Sequence, residues 1–457
     1  MKFLKKQCRP KTPFFLCVLC VSVLDASALD REAFSITNYD LNVQVDPGQH
    51  RLGVRGNITL RNDTATPQKI AVLQISSSLH WRSIKAGDKI QFVTQPYASD
   101  IDHTGSLSEA IVTLPQAIAP HSTVELDIAY EGVVVLDATR LTRIGAPDGS
   151  AKSTDWDEIG SDFTGVRGIG HVAWYPIATE VANLSEGSSL FDVLARWKAR
   201  EAGSTVHVKI DVPSNSNDLA LRLLFDEVSC NSTLKETAPA QVLESDCKFT
   251  LVDAGAPSFF LAAYGEVDRP SIQVFNLATH AAAAEAYADA AEKVAPLISE
   301  WFGPSRQRAQ TADLPESNAS PFEAGAFLAT PLGGSGSKLA SLAAAHQLTH
   351  ASFFSFRPWI NEGLAHFAQA LYLEQQQGRQ AALDYIGVHR SSIGELEVSG
   401  ATRPESEVNN SLVNTTSEEL YRSKGMCVWW MLRDMIGDSA LKKALAAYKA
   451  EQATAPS

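Results

Sequence analysis

The segment Ala345-His346-Gln347-Leu348-Thr349-His350 carries two histidines four residues apart. On a helix that spacing puts both on one face, so two imidazoles can reach one ion. Zinc takes imidazole and carboxylate donors in tetrahedral geometry, and a catalytic zinc keeps its fourth position for water. Alone, His-x-x-x-His is a weak signal, because helices carry it by chance. Eleven residues then separate His350 from Glu362, inside Arg357-Pro358-Trp359-Ile360-Asn361-Glu362-Gly363-Leu364-Ala365. Pro358 suits the first turn of a new helix. From an antiparallel neighbour, Glu362 can complete a zinc site with His346 and His350. Taken alone, Glu362 reads as a solvated carboxylate favoured by a helix dipole. His366 follows on the same face, as a support for a ligand, an alternative ligand, or an ordinary polar residue beside the core.

These residues need helices to hold them. The patterning predicts helices over about 339–354, 359–376, 379–396 and 417–448, after a long alanine-rich helix from Thr279 to Trp301 that Gly303-Pro304 ends. Breaks are expected at Pro331 to Gly336 and at Ala401 to Asn414, and the polar stretch Asn409 to Ser417 is expected to be mobile. Upstream the period is two. Leu41, Val43 and Val45 alternate with polar residues, as do Ile58 and Leu60, then Val124 to Tyr130, then Val206 to Val212. Asp46-Pro47-Gly48 is a turn signal, Asp137 to Gly170 reads as a long polar connection, and Ile272, Val274 and Phe275 form one more short strand. The expected fold is α+β: an antiparallel β-sandwich or saddle domain over 29–265, then a mostly helical domain over 266–457.

Composition sets the class. With 45% hydrophobic and 20% charged residues, the chain is globular, and its net charge of -13 without basic blocks argues against nucleic acid as a partner. Residues 1–28 read as a secretory signal. Lys2, Lys5, Lys6, Arg9 and Lys11 precede an apolar run from Phe14 to Leu24, and Ala26-Ser27-Ala28 follows. That run of eleven is shorter than the ~20 apolar residues of a spanning helix. An exported protein, periplasmic or secreted, with no transmembrane segment in the mature chain, is expected. Cys230 and Cys247 flank a polar stretch, and a disulfide closing it suits an oxidising compartment, two unrelated thiols being the alternative. Cys427 is expected to be a buried thiol, and no partner for His171 is evident.

The chain resembles the gluzincin metallopeptidases, and most of all the M1 aminopeptidases and their smaller relatives. Trp359-Ile360-Asn361-Glu362-Gly363-Leu364 matches the family's ligand segment, and Tyr421-Arg422-Ser423-Lys424-Gly425, with the stretch through Asp438, resembles its Tyr-x-Lys-Gly segment. The resemblance implies a thermolysin-like catalytic domain, a zinc cofactor, a peptide or protein substrate, and Tyr421 as the oxyanion stabiliser. Phe322-Glu323-Ala324-Gly325-Ala326 is a weaker match to the substrate strand, with Gly325 and Ala326 as substrate-binding residues.

The departures carry chemistry. Gln347 stands where the family has its catalytic glutamate, Phe327-Leu328-Ala329 replaces the amine-binding Met-Glu-Asn, the histidine-to-glutamate gap is shorter than in M1 enzymes, and Tyr421 stands one residue further from its Lys-Gly. A glutamine amide can hydrogen-bond to a zinc-bound water but cannot accept its proton, and general-base catalysis is worth roughly 10²–10⁴-fold. Glu323 is a candidate substitute base. The expectation is a zinc metallopeptidase with activity reduced by Gln347, the alternative an inactive zinc-binding protein that holds peptides.

Overall fold

The computed structural model of the protein describes residues 29–186, 189–214, 221–226, 230–237, 240–250, 256–334, 337–355, 357–400, 412–413, 415, 417–418 and 420–454. The expected signal segment and most of the stretch Asn409 to Ser417 lie outside them.

The first half is built of strands because its alternating residues each supply one apolar face. Leu41, Val43, Val45, Ile58, Leu60, Leu126, Ile128, Val206 to Val212 at alternate positions, and Tyr130 all lie in one core. An eight-stranded sheet runs in the order 231–237, 240–250, 205–214, 34–46, 51–62, 123–133, 79–86 and 88–89. Its pairs are antiparallel except one. Strand Phe34–Asp46 pairs in parallel with Thr205–Ser214, so the all-antiparallel expectation fails there. The chain between these two strands builds the rest of the half before returning to the free edge of Phe34–Asp46. Smaller sheets of three and four strands complete this half. Cys230 and Cys247 are joined by a disulfide.

The stretch Asp137 to Gly170, read as a long connection, has structure of its own. It forms two short helices, Thr139–Arg143 and Asp148–Thr154, and two short strands, Glu158–Ile159 and Phe163–Val166. Its charges are paired inside. Arg140 binds Asp155 through two bonds of 2.8 and 2.6 Å, and Arg167 binds Asp157 at 2.6 Å while lying over the Trp156 ring. His171 finds its neighbours here, Asp155 at 3.8 Å and the ring of Phe322. Asp155, Asp157 and His171 converge, but two guanidinium groups already answer both carboxylates.

The second half rests on a five-stranded sheet in the order 265–268, 272–276, 309–313, 327–330 and 322–324. The alanine-rich helix Ala281–Phe302 presents small residues, Ala284, Ala288 and Ala291, to the core, which lets the helix Ser337–Ser352 pack closely through Ala344, Ala345, Leu348 and Ala351. The helices Pro358–Gln377 and Arg379–Gly400 follow. The single helix expected over 417–448 is three elements instead: a π-helical turn, Leu420–Lys424, and the helices Gly425–Ile436 and Asp438–Thr454. Gly437 at φ 82° divides the last two, a left-handed conformation that glycine adopts without strain. Cys427 is half-buried rather than buried.

Helix Ser189–Glu201 buries Val193, Trp197 and Glu201 on one stripe. Glu201 accepts a 2.7 Å hydrogen bond from the Tyr39 hydroxyl. Burial pushes this carboxyl up to about 8, against the Tyr39 bond that lowers it. The folded state therefore holds a proton that the unfolded chain has released. Stability falls as pH rises from the ordinary 4.5 towards 8, by up to about 1.4 kcal/mol per pH unit, and is flat above. In Glu201→Gln this dependence disappears, so urea midpoints of the two proteins converge at pH 5 and separate at pH 8 in favour of the variant.

Candidate metal centre

The histidine helix Ser337–Ser352 turns His346 and His350 towards the edge strand Phe322–Ala324 and the helix carrying Glu362. Their Nε2 atoms lie 3.2 Å apart. Glu362 Oε2 is 3.6 Å from His346 Nε2 and its Oε1 is 3.5 Å from His350 Nε2. Glu323 joins them, with Oε2 3.1 Å from His346 Nε2 and Oε1 3.4 Å from His350 Nε2. Four side chains thus bring one donor atom each within 4.8 Å of one another. Zinc bonds of roughly 2.0–2.2 Å give a tetrahedron with edges of roughly 3.3–3.5 Å. The nearest carboxylate-to-imidazole and imidazole-to-imidazole separations, 3.1–3.6 Å, lie close to that edge. The donor set of two imidazoles and two carboxylates also suits zinc.

The carboxylates and imidazoles stabilise one another's charged forms. Burial alone would raise the Glu323 carboxyl, but the charges of His346 and His350 and the bond to His346 hold it below the usual carboxylate range. Burial opposes charge on His346, while Glu323 and then Glu362 raise its pKa. His366 behaves differently. Burial, then His346 and Arg422, hold it well below the usual range. Its ring stands 4.9 Å from that of His346, outside the group of four, and contacts the Tyr385 hydroxyl at 3.4 Å.

Several supports were not assigned from sequence. The Asn361 amide contacts His350 Nδ1 at 3.2 Å, leaving Nε2 turned to the cluster. Arg422 Nε donates to Glu362 Oε2 at 3.2 Å, and its guanidinium also pairs with Glu418. Both residues stand in segments whose type suggested the site, but their partners are distant in sequence. Arg422 reaches Glu362 because two helices cross at glycines. A Cβ on Gly363 would lie 3.0 Å from the Gly425 backbone, and one on Gly425 would lie 2.9 Å from the Trp359 carbonyl. Trp359 and Trp429 stack beside the crossing at 5.3 Å. The π turn takes up one residue more than an α turn does, which absorbs the extra residue between Tyr421 and Lys424-Gly425. Tyr421 and Arg422 then line a cavity of about 220 Å³ with Glu323, Gly325, His350 and Glu362. Burial, then Glu418, push the Tyr421 phenol up, so it remains a hydrogen-bond donor. Gly325 takes the left-handed turn, φ 57°, at this wall. Ala326 is buried, its carbonyl turned to Gln347, and Phe327, Leu328 and Ala329 are core residues.

Gln347 overturns the expectation that its amide can serve a zinc-bound water. The side chain is fully buried between the histidine helix and the sheet. Its Oε1 accepts from the Tyr287 hydroxyl at 2.9 Å and the Thr311 hydroxyl at 3.1 Å. Its Nε2 donates to the Gln310 carbonyl at 2.7 Å and the Ala326 carbonyl at 2.9 Å. Two accepted and two donated bonds exhaust a glutamine amide.

In fold, the chain is similar to M1 zinc metallopeptidases. The M1 zinc metallopeptidase of Deinococcus radiodurans matches at TM-score 0.53 and 16% identity, over 93% of this chain and 88% of that one. A mutant of that enzyme bound to a Tyr-Ser-Ala substrate matches at TM-score 0.53 and 17% identity, with the same coverage. A two-domain M1 zinc metallopeptidase mutant bound to L-arginine matches at TM-score 0.54 and 16% identity, again over 93% and 88%. No protein-family model and no curated protein matches the chain.

Two outcomes follow from the packing. In Gln347→Glu an oxygen replaces Nε2 and faces two backbone carbonyls, so urea denaturation should show a loss of about 1–3 kcal/mol. In Gly363→Ala the added carbon meets backbone rather than a flexible side chain. Its loss of about 1–3 kcal/mol outweighs the helix-propensity gain.

Proposed function

We propose that the chain is an exported zinc-binding protein that holds peptide segments in a metallopeptidase-type cleft and does not hydrolyse them efficiently. The observation that carries this reading is the committed amide of Gln347, with no proton-accepting group and no spare hydrogen bond for a metal-bound water. When bound, zinc would supply Lewis acidity to a carbonyl or carboxylate of the ligand. The chain's own groups do the rest. His346, His350 and Glu362 would hold the metal, Asn361 and Arg422 fix the orientation of two of those ligands, and Tyr421 offers a hydroxyl donor from the cavity wall. Gly325 leaves that wall open to a peptide backbone. The peptide class is supported by the fold and by the Tyr-Ser-Ala substrate of the similar mutant enzyme. Export is supported by the basic start, the apolar run and the small residues that follow, and by the disulfide. Among the described residues no helix is long and apolar enough to cross a membrane.

A second reading, a working peptidase with Glu323 as proton acceptor, is favoured by one observation: its side chain lines the same cavity as His350, Glu362 and Tyr421. Metal analysis and a peptide-library cleavage assay separate the two. The first reading expects about one zinc per chain and no zinc-dependent cleavage in the native protein or in Gln347→Glu. Chelator-sensitive cleavage by the native protein that is lost in Glu323→Gln establishes the second reading instead.

A further inference from the structure

We propose that Glu323 is a fourth protein ligand to the zinc, so that the resting site has no position for water. The inference rests on the zinc-site reading and not on the loss of hydrolysis.

Three observations carry it. The first is distance. Glu323 oxygens stand 3.1 and 3.4 Å from the two histidine nitrogens, as near as the Glu362 oxygens at 3.6 and 3.5 Å. A carboxylate acting as base must stand back by one water, bonded to that water rather than to the ion. Glu323 stands at the separation of a ligand, where the tetrahedral edge is roughly 3.3–3.5 Å. The second is an orphaned atom. Among the described residues Glu323 Oε1 is buried and makes no hydrogen bond, its 3.4 Å approach to His350 Nε2 aside, although a buried carboxylate oxygen ordinarily makes one. A cation in the centre of the four would satisfy it.

The third is rigidity. Glu323 sits on an edge strand registered to Phe327–Thr330, opposite Leu328. Phe322 before it packs on Phe260 and His171, within reach of the buried Arg167. Gly325 after it closes the turn, and the Ala326 carbonyl is held by Gln347. The carboxylate is therefore placed from the sheet and does not need a loop to close. Charge agrees. Two carboxylates and two neutral imidazoles balance a divalent ion, whereas one carboxylate would leave a net positive charge beside the guanidinium of Arg422.

Such a closed site is what structural zinc centres use, and catalytic centres keep one position open. A ligand in the cavity could then reach the metal only by displacing Glu323.

The test compares the native chain with Glu323→Gln and Glu323→Ala, each loaded with zinc or cobalt. Thermal melts check that each variant is folded. Zinc affinity is read by competition with a chromogenic chelator, and the cobalt visible spectrum is read before and after acetohydroxamate. The proposal expects the native cobalt spectrum to be four-coordinate and unmoved by hydroxamate. Both variants should still bind one ion, roughly tenfold or more weakly, with spectra that hydroxamate shifts. Native affinity in both variants, together with a native cobalt spectrum that hydroxamate shifts, overturns the role of Glu323 and leaves the zinc site standing. If the native chain binds no zinc, or His346→Ala binds it equally well, the zinc-site reading itself fails, and with it this proposal.

Discussion

One buried amide sets the geometry of the centre. Gln347 ties its own helix to the alanine-rich helix through Tyr287, to the central strand through Thr311 and the Gln310 carbonyl, and to the Glu323 turn through the Ala326 carbonyl. Its neighbour His346 and, one turn on, His350 inherit their position from this brace. So does Glu323, three residues before Ala326 on the same turn. A single side chain thus fixes both the histidine pair and the carboxylate opposite it. Inside a low-dielectric core, a fully satisfied amide of this kind is rigid, and leaving any of its partners unpaired is costly.

The other two sides of the centre are held differently. Glu362 is brought in by a helix, and its direction is fixed by Arg422 from a second helix that approaches over two glycines. The absence of side chains at Gly363 and Gly425 lets the axes come near enough for that contact. The π turn then rotates Tyr421 and Arg422 towards the cavity while keeping Gly425 at the crossing. Here the brace is steric and electrostatic, whereas on the Gln347 side it is hydrogen-bonded. The β-rich half contributes through Phe322, whose ring meets His171 and Phe260 and so connects the Glu323 strand to the buried arginine-aspartate pairs.

A hydrolytic zinc site needs an open coordination position and a base one water away. This chain has spent the residue at the base position on cohesion and has set a carboxylate at ligand distance. On the function proposed above, both features favour holding a metal over activating a water on it. The glycine crossing that brings Arg422 to Glu362 does not involve Gln347.

Much of this was legible in the chain itself. Local pattern fixes local structure, so the alternating strands of the first half, the helices bearing His346, His350 and Glu362, and their separation were readable from periodicity, Pro358 and Gly303. Four-residue spacing is a helix property, and it placed the two histidines together without any knowledge of the fold. What depends on contacts between distant segments was not readable. Polarity suggested a long connection over Asp137 to Gly170, because sequence does not show that Arg140 and Arg167 will meet Asp155 and Asp157 inside. Gln347 looked available for a water, because nothing nearby in sequence names Tyr287, Thr311, Gln310 and Ala326 as its partners. Glu323 read as a candidate base, and its distance from both histidines came only from the edge strand that carries it. Residue types and spacing determined which groups could bind a metal; only the tertiary packing decided which of them face it, since that depends on side chains brought together from three separate segments.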